Sequence, residues 1–417
     1  MAAAKRKTKS IVILCDGTSN EIKNERTNVL RLYQCIDNSD ETVVFYDPGV
    51  GTVGAFSGWT RNWLWIRLKE LFGLAFGAGL DRNVLEAYQF LIDTWKEGDR
   101  IYLFGFSRGA YTVRVLAGLI YTIGILDKEQ AHLKSYALNT IKEASFTGNF
   151  ENLEIYQSTL KRKEVEIEFL GMWDTVSSVF MWINGMFRIK NIGYSRKNAS
   201  IKTVRHALAI DERRRFYVHY DWLPDQPFTT LLPNNPDFYD ETLPRQDTRE
   251  VWFAGSHRDS GGGFDDAHSM VPKIAHEWLL REASLSGIKL NEELLDYQLG
   301  RTPDEDGKYL SQPDPTAPLH DSLNWFWWIV EFFPKWRRIN EYKNHNYRDN
   351  WDLISWFNFY IPLGERRTLK NRDASPKDKI LIHDSVEIRR NKTGYQPPNL
   401  PPKNDIEWVT TAQNLES

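Results

Sequence analysis

Short apolar runs recur along the chain, and each ends in a polar turn. IVILC (11–15) runs into DGTSN, TVVFY (42–46) into DPGVGT and RIYLFG (100–105) into FSRG. EVEIEFLGMW (164–173) runs into DTVSS, and EVWFAG (250–255) into SHRDSGGG. β-Branched and aromatic runs of this length, closed by turn residues, predict five strands. Between them lie helical periods. DRNVLEAYQFLIDTW (81–95) places Val84, Leu85, Tyr88, Leu91 and Ile92 on one face, and GAYTVRVLAGLIYTIG (109–124) does the same with Val113, Leu116, Ala117 and Ile120. Strands alternating with helices predict an α/β fold, a mostly parallel central sheet flanked by helices. Ligands of such sheets sit beyond the carboxyl ends of the strands. All five turns fall there, so one site along one edge is expected.

Two segments break the rhythm. GAFSGWTRNWLWIRLKELFGLAF (54–76) is amphipathic and holds three tryptophans. The stretch from about 285 to 375 contains PLHDSLNWFWWIVEFFPKW and NWDLISWFNFY. Both are expected to form aromatic-rich helical cap insertions over the active edge. The division that follows is a core over 8–285 with an insertion at about 54–76, a helical region over 286–395 packed on it, and an extended tail over 396–417.

Composition narrows the function. The formal charge of −3 excludes a nucleic-acid binder that works through bulk electrostatics. Two cysteines make no disulfide framework, and no Cys/His spacing suggests zinc. Aromatics reach 13%, with 16 tryptophans, which asks for a large core, an apolar substrate site or a surface that meets membrane. The longest aromatic-apolar run, WFWWIV (325–330), falls far short of the roughly 20 residues that span a bilayer. The start, MAAAKRKTKSIVILCDG, lacks the plan of a signal peptide, so synthesis in the cytoplasm is expected, with any export independent of such a peptide.

GFSRG places Ser107 between Gly105 and Gly109. Gly-x-Ser-x-Gly is weak alone, but here it follows a strand and opens a helix. In that context the serine stands on a tight turn at a helix N-terminus, where N–H groups and the dipole favour developing negative charge. Ser107 is therefore the candidate nucleophile; the plainer reading is a helix-capping serine. Acyl transfer needs oxyanion donors. One is the N–H of Arg108, and the loop after an earlier strand, DGTSN, could supply the N–H of Gly17 or Thr18.

A serine needs a base, and the fold expected here orders the residues Ser, Asp or Glu, His. His257 directly follows a strand and enters a glycine-rich turn. His383 in KILIHDSVEIRR is the alternative base, and His320 in APLHDSL a weaker third. Asp174, ending the strand in GMWDTVSS, is the candidate acid that orients the imidazole. Asp16, Asp47 and Asp259 fall on the same edge, yet no spacing among them argues for a metal, and no cofactor is expected.

In order along the chain stand DGTSN with TNV at 27–29, YDPGVGT, GAGLDRNVLEAYQFL, GFSRGAYTVR, GMWDTVSSV, HALAIDERRRF and VWFAGSHRDSGGG. LHDSL and LIHDSV follow. This series resembles the α/β-hydrolase group that includes the type VI secretion phospholipase effectors, over about residues 10–390. The pattern departs at Ser19, where members often carry tryptophan, and at Ser256, where an apolar residue is usual. The resemblance implies lipase or phospholipase activity through Ser107, Asp174 and His257, with a lipid or phospholipid substrate. For an effector it also implies a secretion or immunity partner. Peripheral membrane contact is expected at Trp63, Trp65, Trp327 and Trp328. The alternatives are an esterase for small soluble esters and a non-catalytic binding module that keeps the fold.

Overall fold

The computed structural model describes residues 6–17, 25–37, 39–49, 76–160, 163–176, 180–183, 186–189, 192–214, 217–231, 242–332, 335–336, 359–360, 363–370, 375 and 378–411. Eight strands form the central sheet: β1 (Ser10–Cys15), β2 (Thr42–Asp47), β3 (Arg100–Phe106), β4 (Ile167–Trp173), β5 (Ile201–Ala209), β6 (Asp247–Phe253), β7 (Ile380–His383) and β8 (Ile406–Val409). Their order is β2-β1-β3-β4-β5-β6-β7-β8, and every neighbouring pair is parallel. The fold is α/β-hydrolase-like. The order reverses between β1 and β3, the topological switch point at which such sheets leave a crevice.

The helices are α1 (Asn28–Cys35), α2 (Phe76–Thr94), α3 (Arg108–Ile123), α4 (Lys134–Thr147), α5 (Glu151–Leu160), α6 (His257–Gly261), α7 (Pro272–Leu285), α8 (Glu292–Gln298), α9 (Trp325–Glu331) and α10 (Asp384–Thr393). Alternation along the strands sets the two cores. Ile11, Ile13, Ile101 and Leu103 face α2, α3, α4 and α5. Val12, Leu14, Tyr102 and Phe104 face α1 and α7, whose Trp278 is fully buried. Both faces of the sheet are thus covered, which is why its central strands read as unbroken apolar runs. Among the described residues, no single helix is long and apolar enough to cross a membrane.

Two expectations change. The segments read as cap and tail contribute β7 and β8 to the sheet itself, and Ile382, Val386 and Ile406 bury a third core with Leu208 and Trp252. A sheet edge needs an apolar layer beneath it, and ILIH and IEWV supply one with four residues each. α8 also packs into the core, with Leu295 beside α1 and α7. The insertion at 54–76 lies outside the described residues, save for the start of α2.

Candidate active site

Every strand that matters here ends on one edge. Ser107 follows β3, Asp174 follows β4, and His257 opens α6 just beyond β6. The ladder extends one residue past two of the strands: Ser107 N–H donates to the Trp173 carbonyl (3.0 Å) and Asp174 N–H to the Ala207 carbonyl (2.7 Å). Ser107 holds φ 58° and Asp174 φ 40°, both in the left-handed region that L residues avoid. The surrounding sheet keeps them there. The glycines around Ser107 are required by distance. A Cβ on Gly105 would lie 2.6 Å from the Ala110 backbone, and one on Gly109 would lie 2.1 Å from the Cys15 carbonyl oxygen. The first turn of α3 therefore rests against the end of β1.

The three side chains meet. His257 Nδ1 is 2.5 Å from Asp174 Oδ2, and His257 Nε2 is 2.8 Å from Ser107 Oγ. An ionised carboxylate only accepts, so Nδ1 carries the proton, Nε2 accepts, and Ser107 donates to it. All three are buried, with Ser107 7% exposed. The His257 ring is held on two sides, stacked on Phe106 at 4.7 Å and met edge-on by Tyr217 at 4.9 Å. Gly261 makes the Phe106 contact possible, since a Cβ there would stand 1.9 Å from that ring.

Burial lowers the His257 imidazole below its ordinary value, against the opposing pull of Asp174. The ring is therefore neutral at neutral pH and able to take a proton. Burial alone would raise the Asp174 carboxyl, but the charge of Arg367 and the bond to His257 hold it well below the usual carboxylate range. A serine hydroxyl bonded to a neutral imidazole that is itself bonded to a carboxylate can lose its proton as it attacks a carbonyl carbon.

Sequence reasoning missed the next layer. Arg367 forks onto Asp174, with Nη1 2.5 Å from Oδ1 and Nη2 3.0 Å from Oδ2. Glu212 accepts the His257 backbone N–H (3.2 Å) and pairs with Arg214 at 2.8 Å. Burial would raise the Glu212 carboxyl, yet Arg214 and Arg367 bring it down to about 2. Arg214 lies over the Tyr217 ring at 3.5 Å. Glu212 and Arg214 sit within the quoted DERRRF, which signalled them; Arg367, in GERRTLK, had no comparable signal.

The other expected residues fall as follows. Arg108 is the first residue of α3, where N–H groups have no intrahelical acceptor. The Gly17 N–H donates to the Asp16 carboxylate at 2.6 Å, which also accepts from Thr27 and Tyr46. Thr18, Trp63 and Trp65 lie outside the described residues. His383 is not brought to Ser107. It caps α10, bonds Ser385 and Thr411, and stacks on Phe253. His320 pairs instead with Asp259 (2.6 Å), which also accepts from Ser256. Trp327 is buried against Tyr217 and Arg214, so it cannot meet a membrane directly; its ring lies one residue from His257. Trp328 is 37% exposed. Trp325 and Phe332, which were not singled out, are the more exposed aromatics. Among the described residues no group of three or more His, Cys, Asp or Glu is arranged to hold a metal.

Residues 9–282 match the family described as T6SS, Phospholipase effector Tle1-like, catalytic domain. The chain belongs to this family. It is also 34% identical over 220 residues to the uncharacterized protein YEL023C of Saccharomyces cerevisiae, covering 49% of this chain and 31% of that one. The chain therefore spans about a third of that relative's length. Two solved structures are similar. An uncharacterized protein from Pseudomonas aeruginosa gives a TM-score of 0.37 at 16% identity, covering 68% of this chain and 47% of that one. The Tle1 effector bound to the VgrG spike from the Type 6 secretion system gives 0.36 at 18% identity, covering 64% and 53%.

Proposed function

We propose that this protein is a phospholipase, a serine hydrolase that cleaves carboxylic esters of lipids through an acyl-enzyme. The observation that carries the reading is the unbroken series Ser107–His257–Asp174, seated on a turn with positive φ at a helix N-terminus. Membership of a phospholipase effector family supports the substrate class. His257 Nε2 takes the proton of Ser107 as Oγ attacks the ester carbonyl. The resulting imidazolium is held by Asp174. The oxyanion lies at the start of α3 against the Arg108 N–H, with a second donor from the segment after β1. Gly17 serves only when its N–H leaves Asp16; Thr18 is the other candidate. His257 then protonates the leaving alcohol, and water, activated by the same ring, releases the acid.

The exposed Trp325, Trp328 and Phe332 suit an interface with lipid, close to the side of the site that Trp327 covers. Export is a separate matter. As an effector, the protein would be made in the cytoplasm and delivered with a secretion partner.

The test compares wild type and Ser107→Ala on phospholipid vesicles and on a short-chain nitrophenyl ester, with a fluorophosphonate probe for the serine. Wild type is expected to release fatty acid from vesicles and to label; the variant does neither. Activity on the small ester alone removes the lipid substrate, and absence of labelling in wild type removes the enzyme.

A further inference from the structure

Asp174 has a second charged partner besides His257. The Arg367 guanidinium makes two bonds to its carboxylate, and its remaining contacts go to the Tyr217 and Ala209 carbonyls. The Ala209 N–H donates to Asp174 Oδ1 as well (3.0 Å). Arg367 therefore joins three pieces of the site: the carboxylate after β4, the end of β5, and the backbone of Tyr217, whose ring meets His257 edge-on.

The seat of Arg367 is itself fixed. Asn399 donates to its carbonyl at 3.1 Å, and Leu369 is buried in the third core. Gly364 N–H donates to the buried Glu331 of α9, while its carbonyl accepts from Arg213. An arginine fork is planar and directional, so it sets the angle of the carboxylate as well as its place.

We propose that Arg367 is the positioning residue of the triad: it fixes the Asp174 carboxylate against His257 and offsets its charge, and so sets how readily the imidazole takes the serine proton. The proposal rests on the hydrolase reading above. The residue lies beyond 282, where the match to the catalytic-domain family stops, so the catalytic machinery extends outside that domain.

Facing His257 are Asp174 after β4, Glu212 and Arg214 after β5, and Ser107 at the start of α3. Its own helix contributes Asp259, engaged with Ser256 and His320. Each of these two carboxylates, Asp174 on the ring and Glu212 on the His257 backbone N–H, has a guanidinium partner, Arg367 for Asp174 and Arg214 for Glu212. Removing Arg367 leaves the Asp174 charge uncompensated, which favours imidazolium and raises the pH at which His257 titrates.

Two readouts test this. The first is the His257 titration, followed by NMR of histidine-labelled protein in a Ser107→Ala background, which needs no activity. Arg367→Met is expected to raise the His257 pKa by about one unit, and Arg367→Lys, which keeps the charge, to leave it near the wild-type value. The second is kcat/KM per serine labelled by fluorophosphonate. It is expected to fall at least ~10-fold in Arg367→Met and to recover only in part in Arg367→Lys, which cannot fork. Where the methionine variant fails to fold, the lysine variant decides: a wild-type value per labelled serine overturns the positioning role. An unmoved or lowered His257 titration in Arg367→Met overturns the charge role. Failure of the hydrolase reading shows separately, as a wild type that does not label, and the titration still decides what Arg367 does.

Discussion

Gly109→Ala probes the turn that presents Ser107. The added Cβ would lie 2.1 Å from the Cys15 carbonyl oxygen and 2.4 Å from that of Asp16. A relaxed carbon–oxygen contact is about 3.3 Å or more, so α3 must retreat from β1 by about 1 Å. The obstacle is backbone of a central strand and cannot swing aside. Overpacking of this kind costs about 1–3 kcal/mol of stability. A shift of about 1 Å at the reacting group costs about 100-fold in rate, or ~2.7 kcal/mol of barrier. Gly148→Ala is the control. Gly148 has φ 75° at the end of α4 with nothing within 4 Å of its Cβ, so only the strain of a left-handed residue applies, about 1–2 kcal/mol, with no change in rate. The assay pairs kcat/KM on a nitrophenyl ester with thermal unfolding. Equal catalytic losses in both variants, or wild-type rate and stability in Gly109→Ala, would refute the argument from the turn.

Two further expectations concern the support around His257. Glu212 is depressed from 4.5 to about 2, so its contribution is complete above pH 4.5 and is lost as pH falls toward 2. The difference is on the order of 3 kcal/mol; urea unfolding between pH 5 and 3 is expected to weaken more steeply in wild type than in Glu212→Gln, and parallel slopes would count against it. Trp327→Ala empties a buried site beside Tyr217 and is expected to cost about 3 kcal/mol with loss of ester hydrolysis, whereas Trp328→Ala leaves stability within about 0.5 kcal/mol and weakens vesicle binding alone. A reversal of that pattern between the two tryptophans would exclude the assignment of faces on α9.

The five strands with clean apolar runs were legible, and with them the edge that carries Ser107, Asp174 and His257. β5 was not read as a strand because IKTVRHALA interrupts its apolar pattern with Arg205 and His206. Both are buried only because partners wait elsewhere, Glu282 and Asp247 for the arginine, Glu250 and the Thr175 N–H for the histidine. No local period announces such pairs. β7 and β8 are four residues each, too short to signal more than an apolar patch, and their place in the sheet is set by the neighbours they meet. His257 stood apart from His383 by its glycine-rich turn, and the structure gives that turn a purpose in the contact between Gly261 and Phe106. The tryptophans of α9 could not be sorted by composition. Trp327 and Trp328 are adjacent in sequence, yet one is buried over Tyr217 and the other lies under the Arg213 guanidinium at 5.8 Å, partly in solvent.

The partner of Asp174 is made 193 residues after it. At about 5–20 residues per second, the ribosome takes roughly 10–40 s to cover that interval. For the later part of it, once His257 has been made, the nascent chain carries its serine, acid and base, but neither the arginine clasp nor the last two strands. On the proposed reading, the serine, acid and base are thereby made before the arginine that positions the acid. The fully clasped site is complete only once the final stretch of chain has docked.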